Sequence, residues 1–140
     1  MKKLLCVLML SGLAFSSVQA EERTPFTNID FGLFLGWGNF IKVENYQYFK
    51  EDKTHFLVEV NGMEYKEIIR QAKDLFGDAW KCQMAEHFVE SMGDLGVIIG
   101  ETVDLKLYLF DGGHEVVWVK DVPVTSANLE EIKFLTDFCD

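Results

Sequence analysis

The chain has 140 residues, 49% of them apolar, with 23 Asp and Glu against 13 Lys and Arg. That length holds one domain with one core. Its negative field repels nucleic acid and anionic lipid surfaces, so neither is an expected partner.

The first twenty residues, MKKLLCVLMLSGLAFSSVQA, read as a Sec signal peptide. Lys2 and Lys3 form a positive start, Leu4 to Phe15 an apolar centre, and Val18-Gln19-Ala20 a small-residue cleavage site. The apolar centre is shorter than the ~20 residues a spanning helix needs. No small residues lead up to Cys6, which speaks against a lipoprotein cleavage site. The expected product is one exported domain, residues 21–140, with no membrane insertion after cleavage. The leader holds two lysines and no acid, so this domain has 11 basic and 23 acidic side chains, a net charge of −12. Such a charge keeps a protein soluble; it also steers a cationic partner toward it. Two cysteines remain, Cys82 and Cys139. An oxidising compartment and an even count predict one disulfide between them. Closing a loop of about 57 residues would stabilise the fold by roughly 4 kcal/mol on the chain-entropy account.

Along the domain, residues 21–30, EERTPFTNID, read as an exposed lead-in broken by Pro25. Next comes FGLFLGWGNF, Phe31 to Phe40, with no charge and three glycines. Its apolar half, Phe31 to Leu35, is expected in the core. Its other end carries Trp37 between two glycines, followed by Asn39. Tryptophan is enriched at interface hot spots, so Trp37 and Asn39 are candidate partner contacts; the competing reading makes Trp37 a lid over the core. The β-branched and aromatic segments 41–49 and 54–60 suggest two strands around a polar loop, with Phe56, Val58 and Val60 alternating along the second.

After Asn61-Gly62, the spacing of Tyr65, Ile68, Ile69, Ala72, Leu75 and Phe76 predicts a helix over 63–76, ended by Gly77. A second helix is expected over 79–92, capped by Asp78, with Trp80, Met84 and Phe88 on one stripe. Residues 97–99, VII, are either a short strand or part of a connection. Residues 103–110 and 114–122 flank Asp111-Gly112-Gly113 as a hairpin, with Val103, Leu105, Leu107 and Leu109 on one face. On the return strand Val117 and Val119 alternate with Val116, Trp118 and Lys120. A last helix follows Ser126 as its cap and runs toward Cys139. The fold class is α+β: a mostly antiparallel sheet of four or five strands with about three helices packed on it.

Catalytic chemistry is not indicated. No G-x-S-x-G elbow, phosphate loop or dinucleotide fingerprint occurs. Cys82 and His87 lie five apart, on different sides of a helix. His87 and Glu90, with Glu86, have helical ligand spacing but no second ligand pair elsewhere. The expectation is a non-enzyme with no cofactor and no metal. The hairpin tip Asp111-Gly112-Gly113-His114-Glu115 is the other candidate partner element, a polar loop fit to enter a groove.

An export leader, a small acidic α+β domain, Cys82 with Cys139 and the aromatic run at 31–40 form a familiar outline. It resembles the periplasmic immunity proteins that accompany type VI secretion effectors, in particular those that guard against a lysozyme-like muramidase. The resemblance covers the whole chain as an outline and rests on no diagnostic motif. It implies a periplasmic protein that binds a secreted cell-wall hydrolase and occludes its active-site cleft, and a homodimer in several cases. Two other classes stay open: a periplasmic carrier of a small apolar ligand, and a non-catalytic envelope assembly factor.

Overall fold

A computed structural model describes residues 22–36, 38–111 and 113–135. The leader, Trp37, Gly112 and Cys139 lie outside the described residues. The elements in order are β1 (Asn28–Phe34), β2 (Gly38–Glu44), β3 (His55–Val60), β4 (Met63–Glu64) and α1 (Tyr65–Phe76). A 3-10 turn (Gly77–Ala79) leads into α2 (Trp80–Glu86) and α3 (Phe88–Asp94). The chain closes with β5 (Thr102–Leu109), β6 (Glu115–Pro123) and α4 (Ser126–Leu135). The sheet runs β1-β2-β3-β5-β6, with β4 added to β3, and every described pairing is antiparallel. This is the expected α+β class.

Strand alternation builds the core. Val103, Leu105, Leu107 and Leu109 are all buried on one face of β5, as their spacing predicts. Ile29, Ile41, Val43 and Leu57 join them from the neighbouring strands. The helices cover this face, through Ile68, Ile69 and Ala72 of α1, Trp80 and Met84 of α2, Phe88 and Met92 of α3, and Leu129 and Ile132 of α4. Each large apolar side chain removed from water there contributes about 1.5–3 kcal/mol. No helix among the described residues is long and apolar enough to cross a membrane.

The N-terminal third departs from the sequence expectation. The stretch before β1 is not an exposed lead-in. Phe26 is fully buried, edge-on to Phe88 at 5.1 Å, and Thr24 pairs with Thr125 through two backbone hydrogen bonds of 3.1 Å. The buried Asn45 amide donates to the Pro25 carbonyl at 2.8 Å and so holds this segment to the end of β2. FGLFLGWGNF lies within the β1–β2 hairpin, whose register runs from Asn28↔Glu44 to Phe34↔Gly38. Its apolar half is not core. Phe31 packs edge-on against Trp80 at 5.1 Å, but Phe34 is 42% and Leu35 96% exposed. Strand alternation sends Phe34 to the solvent face whatever its polarity, and Leu35 lies beyond the strand in the β1–β2 turn.

β2 meets β3 only through Lys42↔Phe56 and Val43↔His55. Beyond that point β3 pairs with β4 instead, through Glu59↔Glu64 and Val60↔Met63. Met63 and Glu64 are therefore strand rather than the start of the helix. The turn between them is Asn61-Gly62, both with positive φ (46° and 94°), the backbone that a tight hairpin demands. On its other side β3 faces β5 with Leu57 opposite Leu107 and Glu59 opposite Lys106, which makes Val58 a bulge. The bulge resets the alternation, so that Leu57 and Val60 are buried while Phe56 and Val58 are not.

The helix expected over 79–92 is two helices. His87 leaves helical geometry (φ −128°, ψ 47°), and the hydroxyl of buried Ser91 donates to the Gln83 carbonyl at 3.1 Å across the break. Asp78 does not cap by side chain; it lies within the 3-10 turn after Gly77. Thr125, not Ser126, caps α4, its Oγ1 accepting from Asn128 N–H at 3.1 Å. Residues 97–99 are a connection, with Val97 and Ile99 buried.

Candidate functional site

The sheet face opposite the helices is the unusual part of the molecule. Alternation places Gly32 and Phe34 of β1, Phe40 of β2, Phe56 of β3, Tyr108 of β5 and Trp118 of β6 on it. The phenylalanine and tyrosine rings touch one another. Phe34 stacks on Phe40 at 4.5 Å, and Phe56 meets Phe40 edge-on at 5.4 Å. Phe56 then reaches Phe110 at 6.3 Å and Tyr108 at 6.5 Å. Phe110 and Trp118 are 45% and 54% exposed. Gly32 makes the first stack fit, because a Cβ at that position would lie 2.2 Å from Phe40 Cζ.

Two ion pairs lie on this face. Lys106 meets Glu59 at 3.7 Å, and Lys120 meets Asp104 at 4.0 Å. Both ammonium groups also lie beside the Trp118 ring, 5.1 and 5.9 Å from its centre. The result is an apolar surface with a compensated cationic margin in an otherwise acidic protein.

Where β2 leaves β3, a wedge-shaped cavity of about 380 Å³ opens. Phe34, Phe40, Phe56, Tyr65, Tyr108 and Phe110 form most of its wall, with Asn39 beside them. A second hollow of about 340 Å³ shares Gly38 and Asn39 with the first and is otherwise lined by Lys66, Ile69, Arg70 and Lys73 of α1. Arg70 is held between Glu67 and Asp74. Hydrogen bonds from Arg70 and Gln71 push the Glu67 carboxyl down to about 2.

The partner residues expected from sequence fall in different places. Asn39 is half-buried in the wedge wall. By the strand register, the β1–β2 turn and the β5–β6 tip lie at opposite ends of the sheet. Asp111 is tied to the β2–β3 loop: its Oδ2 accepts from Thr54 N–H at 2.6 Å and its carbonyl from Lys53 Nζ at 3.2 Å. Hydrogen bonding from Thr54, helped by Lys53 and His55 nearby, holds its carboxyl below the ordinary carboxylate range. His114 has positive φ (53°) and joins the aromatic surface, with Nδ1 on the Tyr108 hydroxyl and its ring edge-on to Phe110 at 5.4 Å. Gly113 and Glu115 are exposed at the tip. The rings thus link Asn39 at one end to His114 at the other.

No protein-family model, curated protein or solved structure matches the chain. The site is therefore read from its own geometry. His87, the centre of the helical Glu-His-Glu set, pairs through Nδ1 with Glu22 at 2.7 Å. Among the described residues, no group of three or more His, Cys, Asp and Glu could hold a metal ion. Buried His55 lies tilted against Phe49 at 5.1 Å, and burial holds its pKa below the ordinary value. What the arrangement offers is ring area, a cleft beside it and a few polar groups at the margin. That suits recognition.

Sequence reasoning missed most of this surface. Tyr108 was readable as outward, since it alternates with the inward leucines of β5. Phe40, in step with Lys42 and Glu44 on β2, was readable too; Phe34 and Phe56 were not, because Leu33 and Leu35 flank the one and Leu57 and Val58 follow the other.

Proposed function

We propose that this chain is a non-catalytic periplasmic inhibitor that binds a secreted, muramidase-like cell-wall hydrolase and occludes its cleft, the role of type VI immunity proteins. One observation carries the reading: a run of touching aromatic rings from Phe34 through Phe40 and Phe56 to Tyr108 and Phe110 on the free face of the sheet, with exposed Trp118 farther along the same face. Exposed apolar patches of this kind mark interaction sites, and clustered aromatic residues supply most of the energy at interfaces. The −12 charge of residues 21–140 suits a basic target, such as an enzyme that works on the anionic cell wall. Export by the leader and a Cys82–Cys139 disulfide belong to the same proposal.

The test uses residues 21–140 and the hydrolase encoded beside its gene. Isothermal titration should give a one-to-one or two-to-two complex, and muramidase activity should fall in step with complex formation. Phe56→Asp should weaken binding at least about tenfold, because it buries a charge at the centre of the surface. No binding to that enzyme, together with no protection of cells that export it to their own periplasm, overturns the proposal. The wedge favours a second reading, carriage of a small apolar ligand.

A further inference from the structure

We infer that the wedge and the basic hollow beside it form one site for a small amphipathic anion, an aromatic body bearing a single carboxylate. This rests on the second reading above and adds the chemistry of the ligand. The wedge, about 380 Å³, falls at the lower end of the ~300–1,000 Å³ range of small-molecule sites. That is room for one or two fused rings. Its wall is built from aromatic rings, which favour a planar aromatic guest in offset or edge-on contact.

The hollow supplies the head-group chemistry. It shares Gly38 and Asn39 with the wedge, so a ligand lying in the wedge can extend past Asn39 toward α1. Lys66, Arg70 and Lys73 stand at helical spacing along one stripe of α1. Residues 21–140, with net charge −12, repel anions over most of their surface, so a basic hollow adjoining the aromatic cleft is a local reversal of sign. The three cations are not equivalent. Arg70 is compensated by Glu67 and Asp74, and Lys73 Nζ lies 5.5 Å from the Trp80 ring centre. Lys66 has no ion pair among the described residues, which makes it the first partner for a carboxylate. Asn39, common to both hollows, can hydrogen-bond the same group.

The probes are 2-naphthylacetate and its uncharged amide, titrated against residues 21–140 and followed by calorimetry and amide chemical shifts. Both should bind at one site and shift the amides of Asn39, Val58 and Tyr65. At low salt the acid should bind about three- to fivefold tighter, the scale of an exposed ion pair. That preference should shrink as salt is raised. It should vanish in Lys66→Gln/Lys73→Gln, whose unchanged affinity for the amide shows the wedge intact. Val58→Trp, which fills the wedge, should abolish binding of both. If acid and amide bind equally, the ligand-carrying reading stands and the anionic head group is refuted. If neither binds, or if Val58→Trp binds both as the parent does, the wedge is not a ligand site and both ideas fall.

Discussion

Gly32 is the residue on which the outer surface turns. It lies opposite Phe40 in the first hairpin, and the Phe40 ring occupies the volume a Cβ would need. Gly32→Ala must push the ring aside and open its stack on Phe34. Overpacking a core costs about 1–3 kcal/mol; here the atoms displaced are the tip of a half-exposed ring, so urea denaturation should show a loss at the low end, about 1 kcal/mol. Phe40→Leu made in the same background should recover part of it, since the two changes share one volume. A Gly32→Ala protein as stable as the parent would show that Phe40 has another resting place. At this scale the sequence was legible where polarity alternates. Leu105 and Leu107 were readable as buried because Lys106 and Tyr108 flank them. Phe34 and Leu57 were not, since an aromatic outer face removes the contrast that tells inside from outside.

Among the elements, the β5–β6 hairpin was the clearest in the sequence, and its tip was expected to project freely. Instead Asp111 fastens it to the β2–β3 loop through Thr54 and Lys53. Nothing in the local spacing predicts a contact between residues that far apart in the chain. Likewise the break at His87 had no glycine or proline to announce it, and β4 was hidden in a helical pattern. The Asp111 tie carries a pH dependence with a definite sign. Its folded pKa lies below the ordinary 3.8, so the stabilisation is present above that value and is lost as pH falls through the folded value. In an NMR titration the Thr54 amide proton should therefore keep its low-field shift at pH 4 and lose it only in more acidic solution. Asp111→Ala should remove the shift at all pH values and speed exchange of the Thr54 amide. A Thr54 amide indifferent to that substitution would return Asp111 to the free surface.

For the whole molecule, the grouping of strands and helices gave the α+β class, while the splitting of the sheet was out of reach. The split depends on a two-residue β2–β3 ladder and a bulge at Val58, tertiary choices that no local propensity records. The covalent frame belongs to this scale too. Cys82 is half-buried on α2, and α2 packs against α4, the helix that leads toward Cys139. A bridge there would fasten the end of the chain to the helical layer and hold that layer over the sheet. Loop-closure entropy puts its contribution at roughly 4 kcal/mol, with strain able to reduce it. Residues 21–140 recovered from an oxidising periplasm should gain about 2 Da on reduction, the two hydrogens of two thiols. Cys82→Ser/Cys139→Ser should unfold at lower urea by an amount that converts to about 2–4 kcal/mol. The parent under reductant should match the double variant. Two free thiols in oxidised material, or equal stability with and without reductant, would leave the helical layer held by packing alone.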